Sequence, residues 1–334
     1  MQSFGAPRPT SNPYVHMLDA ALAAEPSVEH LRFNRTRALL GRYDVLHLHW
    51  PETLLGGGSP FKRFARRAYT AILIGRLRLG RIAVVRTMHN LELPDVDSAW
   101  ERRLLQEIDR RADFHILLND LTPLRDGVPA MVIPHGDYRE WFSHVPPAAP
   151  TPRALGFVGL VRRYKGIEAL MDAFAGTSGK LSNWHLEISG NPSNAELADD
   201  VRGRAARDAR ITVDLRYLSE EDFAAAVMRA VGIVLPYRFM HNSGTALAAL
   251  SLGRPVLVPR NDVNEALADE VGAGWVRMFD GDLTSDDLVE FARECSQTSG
   301  APDLTDRGWD LVGARHGEAY RRAIAQPRGK GGAQ

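Results

Sequence analysis

Cysteine is almost absent: Cys295 is the only one in 334 residues. One thiol excludes a disulfide framework and a cysteine-rich metal site, and it fits a reducing compartment. Net charge is absent too, with 41 Lys+Arg against 41 Asp+Glu, so no global field draws the chain to nucleic acid. No apolar run approaches the roughly 18 residues needed to cross a bilayer. Met1 to Gly5 lacks the basic and apolar regions of a secretory signal. The expectation is a soluble, cytoplasmic chain. Lysine is scarce as well, limited to Lys62, Lys165, Lys180 and Lys330, so a lysine standing in a motif is informative.

What is present is ordinary globular composition, 44% hydrophobic and 25% charged, in a length that suits two domains of about 150 residues. Short β-rich runs at 45–49, 82–87, 115–118, 130–133, 154–158, 185–189, 232–235 and 255–258 alternate with helical patterns at 13–24, 100–111, 166–175 and 245–252. That alternation predicts an α/β fold with parallel sheets covered on both faces. The proline-rich stretch 145–152 reads as a linker. The expected division is 1–146, 147–308, a last helix over 309–325 and a disordered tail from 326 to 334.

Two segments of the second half carry chemistry. The run Phe157-Val158-Gly159-Leu160-Val161-Arg162-Arg163-Tyr164-Lys165-Gly166 follows a strand and opens a helix. A glycine allows the tight turn, and the basic side chains can neutralise phosphate. Solvated arginines on a plain turn are the blander reading; the rare Lys165, a flexible point charge, tips it toward a diphosphate. The run from Leu235-Pro236-Tyr237 to Asn242-Ser243-Gly244-Thr245 again joins a strand end to a helix start. Unpaired amides there suit an anion, although a simple Ser/Thr cap has the same residues.

These segments, with Gly253-Arg254-Pro255-Val256 and Asn264-Glu265, resemble the nucleotide-sugar domain of GT-B glycosyltransferases. The pattern is similar to bacterial GDP-mannose-dependent β-1,4-mannosyltransferases of exopolysaccharide assembly, the xanthan type. The resemblance implies two facing Rossmann-like domains, with the donor on the second and the acceptor mainly on the first. Trp309 to Tyr320 would belong to a helix crossing back to the first domain, and closure about 145–152 would exclude water. It implies transfer of a hexose, mannose being the sugar suggested, from a nucleotide-diphosphate donor such as GDP-mannose to a lipid-linked or oligosaccharide acceptor. Gly159, Arg162, Arg163, Lys165, Tyr237, Ser243, Gly244, Thr245 and Glu265 would bind the donor, with no metal and no cofactor required. Two departures stand out. The Glu-x7-Glu carboxylates of retaining relatives fall on Met240 and Ala248, and the arginine after the glycine is Leu160. Their loss favours inversion; a retaining transferase, a nucleotide-sugar 2-epimerase and a non-catalytic sugar-nucleotide scaffold are the alternatives.

In the first half, polar residues gather where strands end, the position at which open α/β sheets hold ligands. Asn12 and Tyr14 begin a helix; His49 and Trp50 follow one strand, and His135 follows another. These suggest acceptor contacts from Asn12, Tyr14, His49 and Trp50. Inversion needs a base on the acceptor hydroxyl, and Glu52 and His89 are the candidates. Glu52 adjoins a tryptophan able to stack on sugar, and the Thr-x-His segment resembles the active-site histidine region of related GT-B enzymes. His47 and His49 are expected on opposite faces of their strand. A His-x-His pair also suits zinc, but spacing offers no third ligand.

From 53 to 91 there is no acidic residue and eight basic ones: Lys62, Arg63, Arg66, Arg67, Arg76, Arg78, Arg81 and Arg86. On a helix, Lys62, Arg63, Arg66 and Arg67 share one arc, and Phe61, Phe64, Ala65, Ala68 and Ile72 the opposite one. The expectation is an apolar arc on the core and a basic arc on solvent or on anionic lipid, peripheral at the inner face of the plasma membrane.

Overall fold

The computed structural model describes residues 1–80, 82–90, 96, 98–124 and 127–326; Arg81, Leu91 and the tail expected beyond Gln326 lie outside them. The chain divides into unit 1, Met1–Gly136 with Asp306–Gln334, and unit 2, Asp137–Thr305. In chain order unit 1 holds α1 (Pro13–Ala24), α2 (Arg35–Leu40), β1 (Val45–Leu48), α3 (Pro60–Leu79), β2 (Ala83–Met88), α4 (Ala99–Arg111), β3 (Phe114–Leu117) and β4 (Ala130–Val132). Unit 2 holds β5 (Ala154–Val158), α5 (Ile167–Ala175), β6 (His185–Ser189), α6 (Ala195–Ala205), β7 (Ile211–Asp214), α7 (Glu220–Arg229), β8 (Gly232–Val234), α8 (Gly244–Ser251), β9 (Val256–Pro259), α9 (Asp262–Val271), β10 (Val276–Phe279) and α10 (Ser285–Cys295). The chain then returns to unit 1 as α11 (Trp309–Ala325).

In unit 1 the sheet runs β1-β2-β3-β4, all parallel, and Gln2 adds a single parallel bridge to His47. Alternation sends Val45, Ala83, Val85, Phe114 and Ile116 into one core with Tyr14, Leu18 and Leu22 of α1 and Val312, Ala319 and Ala323 of α11. Leu46, Leu48 and Val84 enter the other core, with Leu73, Ile74 and Leu77 of α3 and Leu104, Leu105 and Ile108 of α4. Both faces are thus covered, as a parallel sheet requires.

Helix α3 reverses the expected facing. Its buried residues are Thr70, Leu73, Ile74 and Leu77, spaced i, i+3, i+4 and i+7, and these fix the inward arc. Arg66 and Arg67 continue that arc: Arg66 donates to Gly56 O, and Arg67 pairs with Glu101 at 2.6 Å. Phe61, Phe64 and Ile72, expected in the core, are 80%, 60% and 61% exposed. The residues nearer the C-terminus set the rotation, and they lay beyond the stretch used to assign the faces.

In unit 2 the sheet order is β10-β9-β8-β5-β6-β7, all parallel. The edge strands β7 and β10 went unread in the sequence, being short and interrupted by Thr212 and Arg277. Strand order reverses between β5 and β8, so a crevice opens beyond their carboxyl ends. The two segments singled out above leave the sheet at this point.

The stretch 145–152 is not the junction. The unit boundary lies at Gly136–Asp137, ten residues before the expected 146, and the return lies at Thr305–Asp306 rather than at 308. Tyr138 and Phe142 are buried in unit 2, Phe142 stacks on Phe223 at 6.0 Å, and the Thr151 amide donates to Arg229 O. Proline-rich composition marked a segment docked on its own unit.

Candidate active site

At the β5 end of the crevice, two glycines permit close backbone approach. Gly166 (φ +70°) sits where any Cβ would collide with Pro236 O, and a Cβ on Gly190 (φ +151°) would overlap Gly159 O. Between them, Gly159 (φ +117°) lies beside Thr245 Oγ1 and Lys165 Nζ, 3.5 and 4.0 Å from where its Cβ would stand. Lys165 is 8% exposed and forms no ion pair with any described residue; its ammonium lies 4.7 Å from the Tyr237 ring centre. The Tyr237 hydroxyl is itself buried without a hydrogen-bond partner among the described residues. Burying a hydroxyl unmatched is costly, and a ligand anion would answer both that hydroxyl and the Lys165 ammonium, which has no carboxylate partner among the described residues. Ser243 caps α8 by accepting from the Ala246 amide at 3.2 Å, so the amides of Gly244 and Thr245 belong to the same positive helix end.

The corresponding end of the unit 1 sheet carries aromatic and imidazole rings. Tyr14 is the hub, with ring centres of His135 at 4.7 Å, His89 at 5.2 Å, Trp309 at 5.8 Å, His49 at 6.0 Å and Trp50 at 6.1 Å. His89 stacks on Trp50 at 4.2 Å. Residues two apart in a strand share a face, so the expected opposition of His47 and His49 was wrong; their rings lie 4.1 Å apart. The hydrogen bonds fix the tautomers by assignment. His49 Nε2 donates to Gln2 Oε1 at 3.0 Å, and His49 Nδ1 accepts from His89 Nε2 at 3.4 Å. The Tyr320 hydroxyl donates to His47 Nδ1, and His47 Nε2 donates to Thr87 Oγ1, each at 2.8 Å. Burial keeps these rings neutral: His47 and His49 titrate well below the ordinary range, His89 at about 3, and His135 and His316 at about 4. Beside the cluster, Phe4, Arg8, Ser11, Asn12, Trp50 and Thr53 line a cavity of about 770 Å³.

Residues 152–297 match the family model described as Glycosyl transferases group 1. Over 325 residues, 96% of this chain and 91% of the relative, the sequence is 40% identical to the GDP-mannose:glycolipid 4-beta-D-mannosyltransferase of Xanthomonas campestris pv. campestris. The chain belongs to this family of glycosyltransferases. AviGT4, a glycosyltransferase involved in avilamycin A biosynthesis, shares the fold with a TM-score of 0.56 at 16% identity, over 97% of this chain and 94% of that one. HepE of Anabaena, solved with UDP, gives 0.53 at 14% identity over 86% and 76%.

In this glycosyltransferase Gly159, Lys165, Tyr237 and Thr245 come together, with Ser243 and Gly244 at the adjoining helix start. Arg162 is turned to the carbonyls of Val161 and Asn191, at 2.9 and 3.0 Å. Arg163 is not brought to the cluster: Glu168 and Glu196 hold its guanidinium, each at 2.9 Å. Glu265 pairs with Arg260 at 3.0 Å. Asn261, which no motif flagged, donates to Met240 O at 2.9 Å and ties the 236–243 loop to the start of α9. Gly190 was also missed, although a glycine directly after a strand was the available signal. Asn12 caps α1 by accepting from the Tyr14 amide at 3.0 Å.

Glu52 and His89 occupy different surroundings in the glycosyltransferase. His89 continues the face of Val85 and Thr87. Glu52 lies in a one-turn helix, Pro51–Leu54, and its charge is felt by Arg86, whose own partner is Asp109 of α4, on the face of the sheet that Val84 shares. Among the described residues no group of three His, Cys, Asp or Glu is placed to hold a metal, and no helix is long and apolar enough to cross a membrane.

Proposed function

We propose that this glycosyltransferase moves mannose from GDP-mannose to a glycolipid with inversion at the anomeric carbon. The carrying observation is Lys165, buried without a carboxylate at the unit 2 switch point, in a chain 40% identical to a GDP-mannose:glycolipid 4-beta-D-mannosyltransferase. The acceptor oxygen attacks C1 of mannose, and the bond from C1 to the β-phosphate oxygen breaks with its electron pair leaving on GDP. Lys165 and the amides of Gly244 and Thr245 stabilise that growing negative charge, with Tyr237 supplying a hydroxyl. These groups supply the charge that a divalent cation provides elsewhere, so we propose that the reaction proceeds without added metal. Met240 and Ala248, at the positions of the retaining carboxylates, are both buried and offer no acid to the donor.

The hydroxyl proton goes to a base, which works best with a pKa near the operating pH. His89 is packed among the rings of Tyr14 and Trp50, so we assign it, with those rings, to hold the acceptor sugar, and Glu52, the carboxylate two residues after Trp50, as base. Asn12 and His49 position those rings. A glycolipid acceptor places the work at a membrane surface, the inner face in our reading. Proton NMR of the product tests the mechanism: a β-mannoside from the α-linked donor supports it, and an α-mannoside contradicts it.

A further inference from the structure

We infer that Tyr138 is a positioning residue for the donor diphosphate, fixing the open end of α8 from the point where the chain enters unit 2. The inference rests on the reading that the amides of Gly244 and Thr245 meet the diphosphate. Such amides stabilise a leaving group only if they are aimed at it beforehand, so whatever fixes them belongs to the site. Helix α8 has eight residues, about 12 Å of length, too short to persist without tertiary support. Its buried residues are Ala246, Leu247, Ala248, Ala249 and Leu250, and apolar packing of this kind is non-directional. Gly244, at the open end, is exposed. Directional contacts therefore have to set its aim.

One residue reaches both ends of the helix. The Tyr138 amide donates to Ser251 Oγ at 2.9 Å, and Ser251 Oγ donates to Leu247 O at 2.7 Å. At the other end the Tyr138 hydroxyl oxygen stands 3.2 Å from where a Cβ on Gly244 would lie, so a glycine there gives the hydroxyl room beside the first turn. Tyr138 is itself held in place. It is 5% exposed, and its ring stacks on Phe142 at 5.9 Å. Beside it, Arg139 Nη2 donates to Asp137 Oδ2 at 2.6 Å and to Leu304 O at 3.0 Å, which ties the entry of unit 2 to its exit. No motif marks Tyr138, because Ser251 lies 113 positions further along the chain.

Titration calorimetry with GDP, read beside the urea midpoint, tests this on wild type, Tyr138→Phe and Ser251→Ala. Phenylalanine keeps the ring on Phe142 and removes only the hydroxyl. Tyr138→Phe should bind GDP roughly 3- to 10-fold more weakly with its urea midpoint close to wild type. A merely structural role would move the midpoint and leave the affinity of the folded protein alone. Ser251→Ala, which cuts the other anchor, should also weaken GDP binding several-fold. The double variant should lose less than the product of the two single losses, since both anchors fix one helix. Unchanged GDP affinity in folded Tyr138→Phe overturns the inference. So does unchanged affinity in Ser251→Ala, which decides the matter if Tyr138→Phe does not fold. A wild type that binds no GDP removes the donor reading and the inference together, whereas a wild type that binds while the variants bind equally well removes the inference alone.

Discussion

The ligand ends of the two sheets solve different problems with different chemistry. In unit 2 the ammonium of one largely buried lysine, Lys165, stands against an aromatic ring with no carboxylate among the described residues to answer it. In unit 1 five imidazoles, His47, His49, His89, His135 and His316, cluster among aromatic rings and are all held neutral by burial. An unmatched charge prepares a place for a phosphate. Neutral rings with fixed tautomers present flat faces and single donors or acceptors, which suit sugar hydroxyls and CH faces. In the proposed reading this contrast assigns donor chemistry to unit 2 and acceptor chemistry to unit 1.

The contrast can be broken most sharply at the proposed base. Glu52→Gln should lower turnover by about 10²–10⁴-fold while GDP affinity stays at the wild-type value. His89→Ala should cost less and act mainly on acceptor KM. A steady-state comparison in which His89→Ala is the slower enzyme would exchange the two roles.

Next in size is the phosphate side. Lys165→Met should weaken GDP binding by about 1.5–3 kcal/mol, the range for a hydrogen bond to a charged group. Gly190→Ala should destabilise unit 2 by about 1–3 kcal/mol, because a Cβ there overlaps Gly159 O. A urea midpoint equal to wild type would show that the two turns are not held in contact.

Acid sharpens the comparison by stability rather than activity. The folded pKa values of His89, His135 and His316 lie at about 3 to 4, below the roughly 6.5 of an unfolded histidine. Above pH 6.5 both states are neutral and nothing is lost. As pH falls from 6.5 toward 4 the unfolded chain binds protons that the folded unit refuses, so unit 1 loses stability. Hydrogen exchange at pH 7.5 and pH 5 should show protection falling in β1, β2 and α11 more than in β5, β8 and α8. Equal losses in both sheets would deny the asymmetry. Smallest of all, EDTA should leave turnover unchanged; a loss restored by Mg²⁺ would assign part of the leaving-group charge to a metal.

Much of this contrast could be read in the sequence, and the reasons are local. Glycines that must adopt positive φ, a rare lysine and strand-to-helix joints all act within ten residues, so Gly159, Lys165, Gly166 and Thr245 were visible beforehand. What escaped depends on partners far along the chain. Arg163 looked available until Glu168 and Glu196 reached it. The imidazole network needs Gln2, His49, Thr87 and Tyr320, which no spacing rule connects. The rotation of α3 is set by Leu73 and Leu77, beyond residues 61–72 that define the two arcs, so an apolar arc assigned to the core lies on the surface.

Titration calorimetry with GDP on three proteins tests the division of labour most directly. Wild type and Glu52→Gln should bind GDP alike, and Lys165→Met should bind it roughly 10- to 150-fold more weakly. Equal affinity in Lys165→Met, or a comparable loss in Glu52→Gln, would contradict the assignment of the donor's charge to unit 2 and of the uncharged acceptor chemistry to unit 1.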